Sequence, residues 1–427
     1  MDVNAVSYWT LLRRNRPFRH LWLGLVVSQL GDWFRIVALY SLVLDITGAS
    51  GLALGWVLIA QSLPMFCLSP IAGVVVDRLS RKAIMIVTDL IRAILALGFL
   101  LLDAVDDIWL AYALTSVMMA VASFFHPALM ATIPNITQRD ELVTANALAS
   151  ATWAAMLAIG SGLGGMVTAM LGTDAAFCMD AASYVASALL ITGVTVPLRP
   201  VAVDGVQSTS IRKGWQDFRQ GIGYMWGRPI LLQLLSIKAW SAGVGGSIVL
   251  LATLLAEDIY RAGAGGIGMI YMMRGLGAFA GPIVARRVAG EQPQAMHRAV
   301  GLAFLVYAAT TGLFAYMPTL YMAAGVLCLA AMAANVLWVF SSTLLQLSVP
   351  DAYRGRVFAA DFAILTILMS VSTWVTGWAL DHLGLHLRAV TTMLGIVLIV
   401  PGLIWGLPAS RRLRQSLTPS ETETDRH

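Results

Sequence analysis

The sequence predicts an all-helical integral membrane protein whose twelve transmembrane helices form two pseudo-symmetric bundles of six. The first observation is composition: the 427 residues are 58% hydrophobic and 12% charged, with a mean hydropathy of +0.77. A soluble domain carries about 25% charge. The second is that the apolar runs are continuous and close to the roughly 20 residues that a helix needs to cross a bilayer. Lipid is therefore the predicted solvent, and helices satisfy the backbone there.

The twelve apolar runs follow one another in a regular order. They cover residues 18–46, 50–76, 82–102, 108–133, 141–171, 175–196, 229–257, 263–287, 296–317, 320–349, 356–381 and 387–408. The longest polar stretch separates the sixth run from the seventh and shows the spacing of an interfacial amphipathic helix. The predicted organisation is an N-terminal bundle (1–196), a cytoplasmic linker (197–228), a C-terminal bundle (229–408) and a disordered tail (409–427).

The third observation is that the two halves repeat. The fourth run ends in Ile133-Pro134 and the tenth ends in Val349-Pro350. The second carries Ser69-Pro70, and the eighth carries Gly281-Pro282. Two parallel copies of six helices are typical of secondary transporters, whose substrate cavity lies between the copies.

The basic residues predict the orientation. With the N-terminus inside, the Lys and Arg residues outside the cytoplasmic segments are Arg35, Arg92, Lys238, Arg261, Arg274 and Arg388. All the others of the 28 fall in cytoplasmic segments. Because positive charge is retained on the cytoplasmic side, both termini are predicted to be cytoplasmic.

A ten-residue segment between the second and third runs carries a known pattern. It reads Gly73-Val-Val-Val-Asp77-Arg78-Leu-Ser80-Arg81-Lys82. It resembles the G-x-x-x-D-R-x-G-R-K motif of the major facilitator superfamily, with Ser80 in place of the second glycine. Gly281-Pro282 to Arg286-Arg287 forms a weaker counterpart in the second half.

Other stretches resemble the bacterial macrolide-efflux and enterobactin-exporter branch of this superfamily. They are 29–34, 45–48, 63–64, 88–93, 125–128, 145–147 and 354–357. The resemblance implies alternating access in the bacterial inner membrane and proton-driven export of amphipathic molecules, such as macrolide-like drugs or siderophores. The chain departs from drug antiporters in two ways. Gly160 to Gly165 lacks the usual proline, and residues 109–133 contain no Lys or Arg.

The motif predicts a gate. Asp77 at the end of the second helix is expected to face the N-terminus of the eleventh helix, near Arg356, since a helix N-terminus attracts negative charge. The remaining members of the predicted gating group are Gly73, Arg78, Arg81 and Lys82. Arg78 and Arg81 are expected to pair with acids of neighbouring loops. The alternative is that the basic residues only anchor the loop at the membrane surface.

Charged residues inside the first half are candidates for proton coupling or substrate contact. Asp32 and Arg35 lie deep in the first helix, and Asp89 and Arg92 lie near the middle of the third. A charge at membrane depth costs about 2.5–3.5 kcal/mol, so it usually faces a cavity or a partner. Residues three apart share a helix face and can neutralise each other. Asp32 is predicted to be a proton site, the alternative being a static ion-pair network.

The second half contributes further candidates. Arg274 lies near mid-membrane and is assigned to the coupling or substrate group, whereas Lys238 and Asp361 lie close enough to helix ends to snorkel. The other candidates for a cavity wall are Trp33, His126, Trp338 and Phe340. Packing or a helix cap is the alternative for His126, and an interfacial or packing role is the alternative for the aromatic residues.

The leading functional interpretation is a proton-coupled multidrug efflux antiporter. An uptake symporter or a lipid or lysolipid flippase is the alternative on the same fold, and a non-transporting receptor or scaffold is the alternative of another class. The expected partners are an amphipathic small molecule, protons and membrane lipids, with no nucleic acid. We expect a monomer. We also expect no enzymatic activity, no cofactor and no metal, because no catalytic or metal-ligating side chains are grouped at one depth.

Overall fold

The computed structural model describes residues 6–138, 140–194, 220, 223–290 and 293–406. Within these residues, twelve helices are long and apolar enough to cross a membrane, and no residue is in a β-strand. This confirms the predicted fold class. Most of the predicted linker and the whole predicted tail lie outside the described residues.

A short surface helix precedes the twelve spanning helices. It is α1, Tyr8–Arg14. The spanning helices of the first half are α2 (Arg16–Thr47), α3 (Gly51–Arg78), α4 (Arg81–Gly98), α5 (Ile108–Ile136), α6 (Leu142–Leu171) and α7 (Thr173–Thr192). Those of the second half are α8 (Pro229–Leu254), α9 (Gly263–Ala289), α10 (Pro293–Leu313), α11 (Leu320–Ser348), α12 (Asp351–Leu383) and α13 (Leu387–Gly406).

Side-chain caps begin several of these helices. Asn15 accepts a hydrogen bond from the Phe18 amide at the start of α2, and Ser50 accepts one from the Ala53 amide at the start of α3. Ser80, which stands in the motif where glycine is usual, caps α4. Such caps satisfy amides that have no partner within the helix, so they stabilise the helix starts.

The boundary between α6 and α7 is a single glycine. The helical hydrogen-bonding pattern runs from Leu142 to Thr192, but Gly172 has φ 86° and ψ 171°, which breaks the run into two helices. A positive φ of this kind favours glycine. The predicted fifth and sixth helices are therefore confirmed as α6 and α7.

The start of α12 differs from the prediction. A polar loop was expected up to residue 356, but the helix begins at Asp351, directly after Pro350. A proline immediately before a helix removes an amide that would have no helical acceptor anyway. The polar residues therefore form the first turns of α12, and Arg356 lies inside the helix.

The chain divides into two compact units that do not follow the sequence halves. Unit 1 comprises Met1–Asp217, Val249–Leu276 and Ser370–Leu385, and unit 2 comprises Phe218–Ile248, Gly277–Met369 and His386–His427. In unit 1, α2 packs along α6 and α7, and α5 packs against α3 and α4. In unit 2, α10 packs against α11 and α13. The domain boundaries at residues 196 and 229 stay a prediction.

Candidate functional site

The buried guanidinium of Arg35 joins two carboxylates in unit 1. Its Nε donates to Oδ2 of Asp180 at 3.0 Å, and its Nη2 donates to Oδ1 of Asp32 at 3.3 Å. The Arg35 and Asp180 side chains are 0% exposed, whereas that of Asp32 is 25% exposed. Arg35 therefore ties a fully buried acid on α7 to a partly accessible acid on α2.

A second ion pair extends this cluster to α4. Arg92 donates from Nη2 to Oδ1 of Asp89, and both side chains are buried. The Ser187 hydroxyl donates to Oδ2 of Asp89 at 2.7 Å. The Tyr184 hydroxyl donates to Oδ1 of Asp32, and the Arg92 guanidinium lies 4.4 Å from the centre of the Tyr184 ring. Tyr184 therefore connects the two ion pairs, and we name the group the charge network: Asp32, Arg35, Asp89, Arg92, Asp180 and Tyr184.

The network depends on the close approach of α2 and α7. Asp180, Ser183, Tyr184 and Ser187 share one face of α7, since they are three or four residues apart. A Cβ at Gly31 would lie 2.7 Å from Cβ of Ser183 and 2.8 Å from Oδ1 of Asp180. Only a residue without a side chain lets α2 pass at this distance.

A cavity opens beside the network. Its volume is about 570 Å³, and every residue of its lining belongs to unit 1. Polar groups come from Gln29, Asp32, Arg92 and His126. The apolar part of the wall includes Met65, Phe125, Leu129, Met130 and Trp153. The cavity therefore presents one carboxylate and one guanidinium of the network among apolar and aromatic side chains.

The structure partly reproduces the predicted coupling group. The pairs Asp32–Arg35 and Asp89–Arg92 are confirmed as contacts within their own helices. Asp180 and Tyr184 on α7 were not among the residues predicted from the sequence. Asp180 could have been found in the same way as Asp32 and Asp89, because it is a charged residue inside a predicted membrane span.

Arg274, the third predicted basic member of the coupling group, lies in a different cluster. Its guanidinium carbon is 5.0 Å from the ring centre of Tyr271. That ring lies 5.9 Å from Trp33 and 5.7 Å from Tyr40, both on α2. Arg274 and Trp33 thus help to join α9 to α2 inside unit 1. His126 is exposed within α5 and lines the cavity, so it is not a helix cap.

Lys238 and Asp361 do not snorkel to a membrane surface, and that expectation was wrong. They bind each other at 2.5 Å inside unit 2, and both side chains are buried. The Lys238 ammonium also lies 4.8 Å from the ring centre of Trp338. Phe340 is buried in the packing of unit 2. A direct partner satisfies both charges, so neither needs to reach water.

The gating motif is only partly described. Arg81 donates to the Ala131 carbonyl at 2.8 Å, and Lys82 donates to the Thr192 and Val194 carbonyls at 2.7 and 2.8 Å. These basic side chains therefore bind backbone oxygens near the ends of α5 and α7.

For the other members of the predicted gating group, the described contacts do not test the gate. Arg78 is exposed, and a Cβ at Gly73 would meet open space. Arg356 lies 5.7 Å from the ring centre of Tyr353. The side chain of Asp77 lies outside the described residues, so the latch at this residue stays a prediction.

An acid on α12 binds the N-terminus of α3. Asp381 accepts hydrogen bonds from the Ser50 hydroxyl at 2.6 Å and from the Gly51 and Leu52 amides, each at 3.0 Å. The helices touch here, since a Cβ at Gly377 would lie 2.7 Å from the Gly51 carbonyl oxygen. All these residues belong to unit 1. We name this contact the Asp381 clasp. It lies at the end of α3 opposite the gating motif.

Twelve helices long enough to span a membrane, with a cavity between them that presents a carboxylate and a guanidinium, are typical of a membrane transporter. A family model described as "Transmembrane secretion effector" matches residues 6–420. The chain therefore belongs to this family of the major facilitator superfamily, whose members are transporters rather than enzymes.

Known proteins of the superfamily resemble the chain at low identity. It is 27% identical over 225 residues to the "Uncharacterized MFS-type transporter YkuC" of Bacillus subtilis, and the match spans 52% of each chain. The match thus covers about half the length of that relative. It is 23% identical over 387 residues to the "Putative bacilysin exporter BacE" of Bacillus amyloliquefaciens, covering 90% of this chain and 92% of BacE.

A solved transporter shares the fold. A POT family transporter in complex with 5-aminolevulinic acid superimposes with a TM-score of 0.73 at 10% identity, covering 98% of this chain and 100% of that one. At this identity the likeness concerns the fold alone.

Proposed function

We propose that this transporter exports amphipathic small molecules by alternating access and exchanges them for protons. One observation carries the proposal: Asp32 belongs to the buried charge network and also lines the cavity. A carboxylate in that position is accessible to a bound molecule and to a proton. Its ionisation changes the balance of a cluster that holds three helices together.

The coupling follows from competition at Asp32. An ionised Asp32 binds Arg35 and Tyr184 and presents negative charge to the cavity. Protonation removes that charge, and it weakens the attraction to the guanidinium and to a cationic substrate. Substrate and proton therefore occupy the site in turn, which is the requirement for exchange.

The substrate class is inferred from the cavity wall. Met65, Met130, Phe125 and Trp153 offer apolar and aromatic surface, and methionines adapt to ligands of different shape. Asp32 provides a fixed charge beside them. This combination suits a molecule with an apolar body and a basic group. Export is supported by the family description and by the name of BacE, a relative aligned over most of its length.

Alternating access requires contacts that hold one end closed and can be released. The Asp381 clasp is such a contact, and Asp77 is proposed to form its counterpart at the other end of α3 and α12. The distribution of basic residues supports an inner-membrane protein with both termini in the cytoplasm. In that orientation the Asp381 clasp lies on the outer side. We further propose that the transporter works as a monomer.

The test begins with a substrate. A thermal-shift screen of purified protein against lipophilic cations, macrolides, siderophores and lysolipids identifies compounds that stabilise it. Flux of a stabilising compound is then measured in inside-out vesicles with an imposed pH gradient. Accumulation in vesicles with an acidic lumen supports proton-coupled export, whereas proton-driven loss from the lumen indicates uptake symport. Absence of flux for every stabilising compound contradicts the proposal.

A further inference from the structure

The charge network holds more acids than bases. Its acids are Asp32, Asp89 and Asp180, and its bases are Arg35 and Arg92. Arginine stays protonated in proteins. With every acid ionised, these described residues of α2, α4 and α7 therefore carry one uncompensated negative charge inside a membrane-spanning bundle. By contrast, the buried pair in unit 2 is balanced, since Lys238 has Asp361 as its partner.

The three acids differ in how well their oxygens are satisfied. Asp32 accepts from Arg35 and Tyr184, and it borders the cavity. Asp89 accepts from Arg92 on one oxygen and from Ser187 on the other. Asp180 accepts from Arg35 through Oδ2, while no described donor reaches its Oδ1, although the side chain is 0% exposed.

We propose that Asp180 carries the surplus proton of the network in this state. An ionised carboxylate at Asp180 is the least favourable of the three, because its Oδ1 is buried from solvent without a described donor and its one described cation partner, Arg35, is shared with Asp32. A proton on Oδ1 removes that charge and leaves the hydrogen bond from Arg35 to Oδ2 in place. This inference rests on the proposed proton coupling and adds a residue to it: Asp32 meets the cavity, and Asp180 stores the proton behind it.

The charged and titratable groups around Asp180 agree with this assignment. From α2 it faces Arg35 and Asp32, from α4 the network contributes Arg92 and Asp89, and its own helix carries Tyr184. His126 of α5 borders the cavity beside Asp32. Arg35 contacts two acids at once and therefore transmits a change at one acid to the other.

Infrared spectroscopy tests the inference without a substrate. A protonated carboxyl group has a C=O stretching band that ionised carboxylates lack, and it is followed in purified, liposome-reconstituted protein as pH is raised. We expect such a band in the wild type and its loss in Asp180→Asn. Asp45→Asn serves as control, because Asp45 is an exposed acid on α2 outside the network.

Glutamate variants locate the proton. The band frequency should shift in Asp180→Glu and stay in place in Asp32→Glu and Asp89→Glu. If the larger side chain prevents Asp180→Glu from folding, the unshifted bands of the other two variants, with the band loss in Asp180→Asn, still assign the proton. A wild type without the band, a band that survives in Asp180→Asn, or a shift in Asp32→Glu overturns the inference. Because no flux is measured, a failure of proton-driven export would leave these results unchanged.

Discussion

Arg35 meets Asp180 because two small residues allow α2 and α7 to approach. Gly31 lies against Ser183, and a Cβ on Gly31 would overlap the Ser183 side chain and approach Asp180 Oδ1. The geometry of the ion pair is therefore fixed by a residue that carries no charge. Glycines at such contacts are common where membrane helices pack closely.

Gly31→Ala should destabilise unit 1. The added methyl group forces Ser183 and Asp180 to move, and overpacking of this kind costs about 1–3 kcal/mol. Thermal unfolding in detergent, followed by circular dichroism, measures the loss. Gly325→Ala in α11 is the control, since its Cβ would meet open space. Equal melting temperatures for the two variants would show that the contact is not tight.

Lys238 and Asp361 should depend on each other. Removing one member of a buried ion pair typically costs about 3–5 kcal/mol, whereas replacing both by apolar residues is often neutral. Lys238→Met alone should therefore be unstable, and Lys238→Met combined with Asp361→Leu should recover most of the loss. Unfolding of the single and double variants measures this coupling. Additive losses would mean that the pair does not interact.

Single residues show where sequence-based prediction ends. Asp32 and Arg35 could be paired from the sequence because their spacing on one helix fixes their proximity. The partnership of Arg35 with Asp180 could not, since it depends on which faces of α2 and α7 meet. Lys238 and Asp361 were misjudged for the same reason: they lie on different helices, α8 and α12, and their pairing depends on which faces of those helices meet.

The elements themselves were largely predictable. Continuous apolar runs determine the spanning helices, and polar or capping residues determine their ends. The main difference, at the start of α12, arose because polar residues were assigned to a loop. The first turn of a helix tolerates polar residues next to proline as readily as a loop does.

Where α6 and α9 touch, there is no room for a side chain at Gly268 of α9. A Cβ at Gly268 would lie 2.6 Å from the Ser161 carbonyl oxygen and 2.7 Å from Gly165 Cα, both backbone atoms. Gly268→Ala should therefore separate the two helices, with a stability loss of about 1–3 kcal/mol. Cross-linking of cysteines introduced into α6 and α9 measures the separation.

Gly265→Ala, nearly one turn earlier on α9, is the matched control for this change. Its Cβ would meet only the Ala169 methyl group at 3.9 Å, an ordinary contact. Cross-linking efficiency should stay at the wild-type level in this control. Unchanged cross-linking in Gly268→Ala would contradict the close contact.

The Asp381 clasp should favour the arrangement in which α3 and α12 touch. Asp381→Ala leaves the first amides of α3 without this acceptor, and a lost cap costs about 0.5–1 kcal/mol at an exposed site. The population of the closed contact should fall by roughly two- to fivefold. Double electron–electron resonance between spin labels at the start of α3 and the end of α12 measures the distance distribution, and hence this population. Asp103→Ala, an exposed acid in another loop, should leave the distances unchanged.

At the scale of the whole molecule, composition and the repeat of the two halves were sufficient for the fold class. Lipid as solvent leaves few architectures, so a chain this apolar needs little more than helix counting. The site was only half predictable. Charge at membrane depth identified Asp32, but the cavity beside it is lined by the consecutive helices α2 to α6 of the first half, whereas the sequence analysis expected a cavity between the two copies.

The most direct test of proton coupling is flux through the Asp32→Asn variant. Inside-out vesicles with an acidic lumen are supplied with ethidium, a lipophilic cation, and with erythromycin, a macrolide. The wild type should accumulate at least one of these against its gradient. Asp32→Asn should lose gradient-driven accumulation and should also exchange the cationic substrate more slowly downhill, because it lacks the carboxylate that substrate and proton share, whereas the control Asp45→Asn should behave as the wild type does. Full proton-driven accumulation by Asp32→Asn would contradict the proposal that Asp32 couples transport to protons.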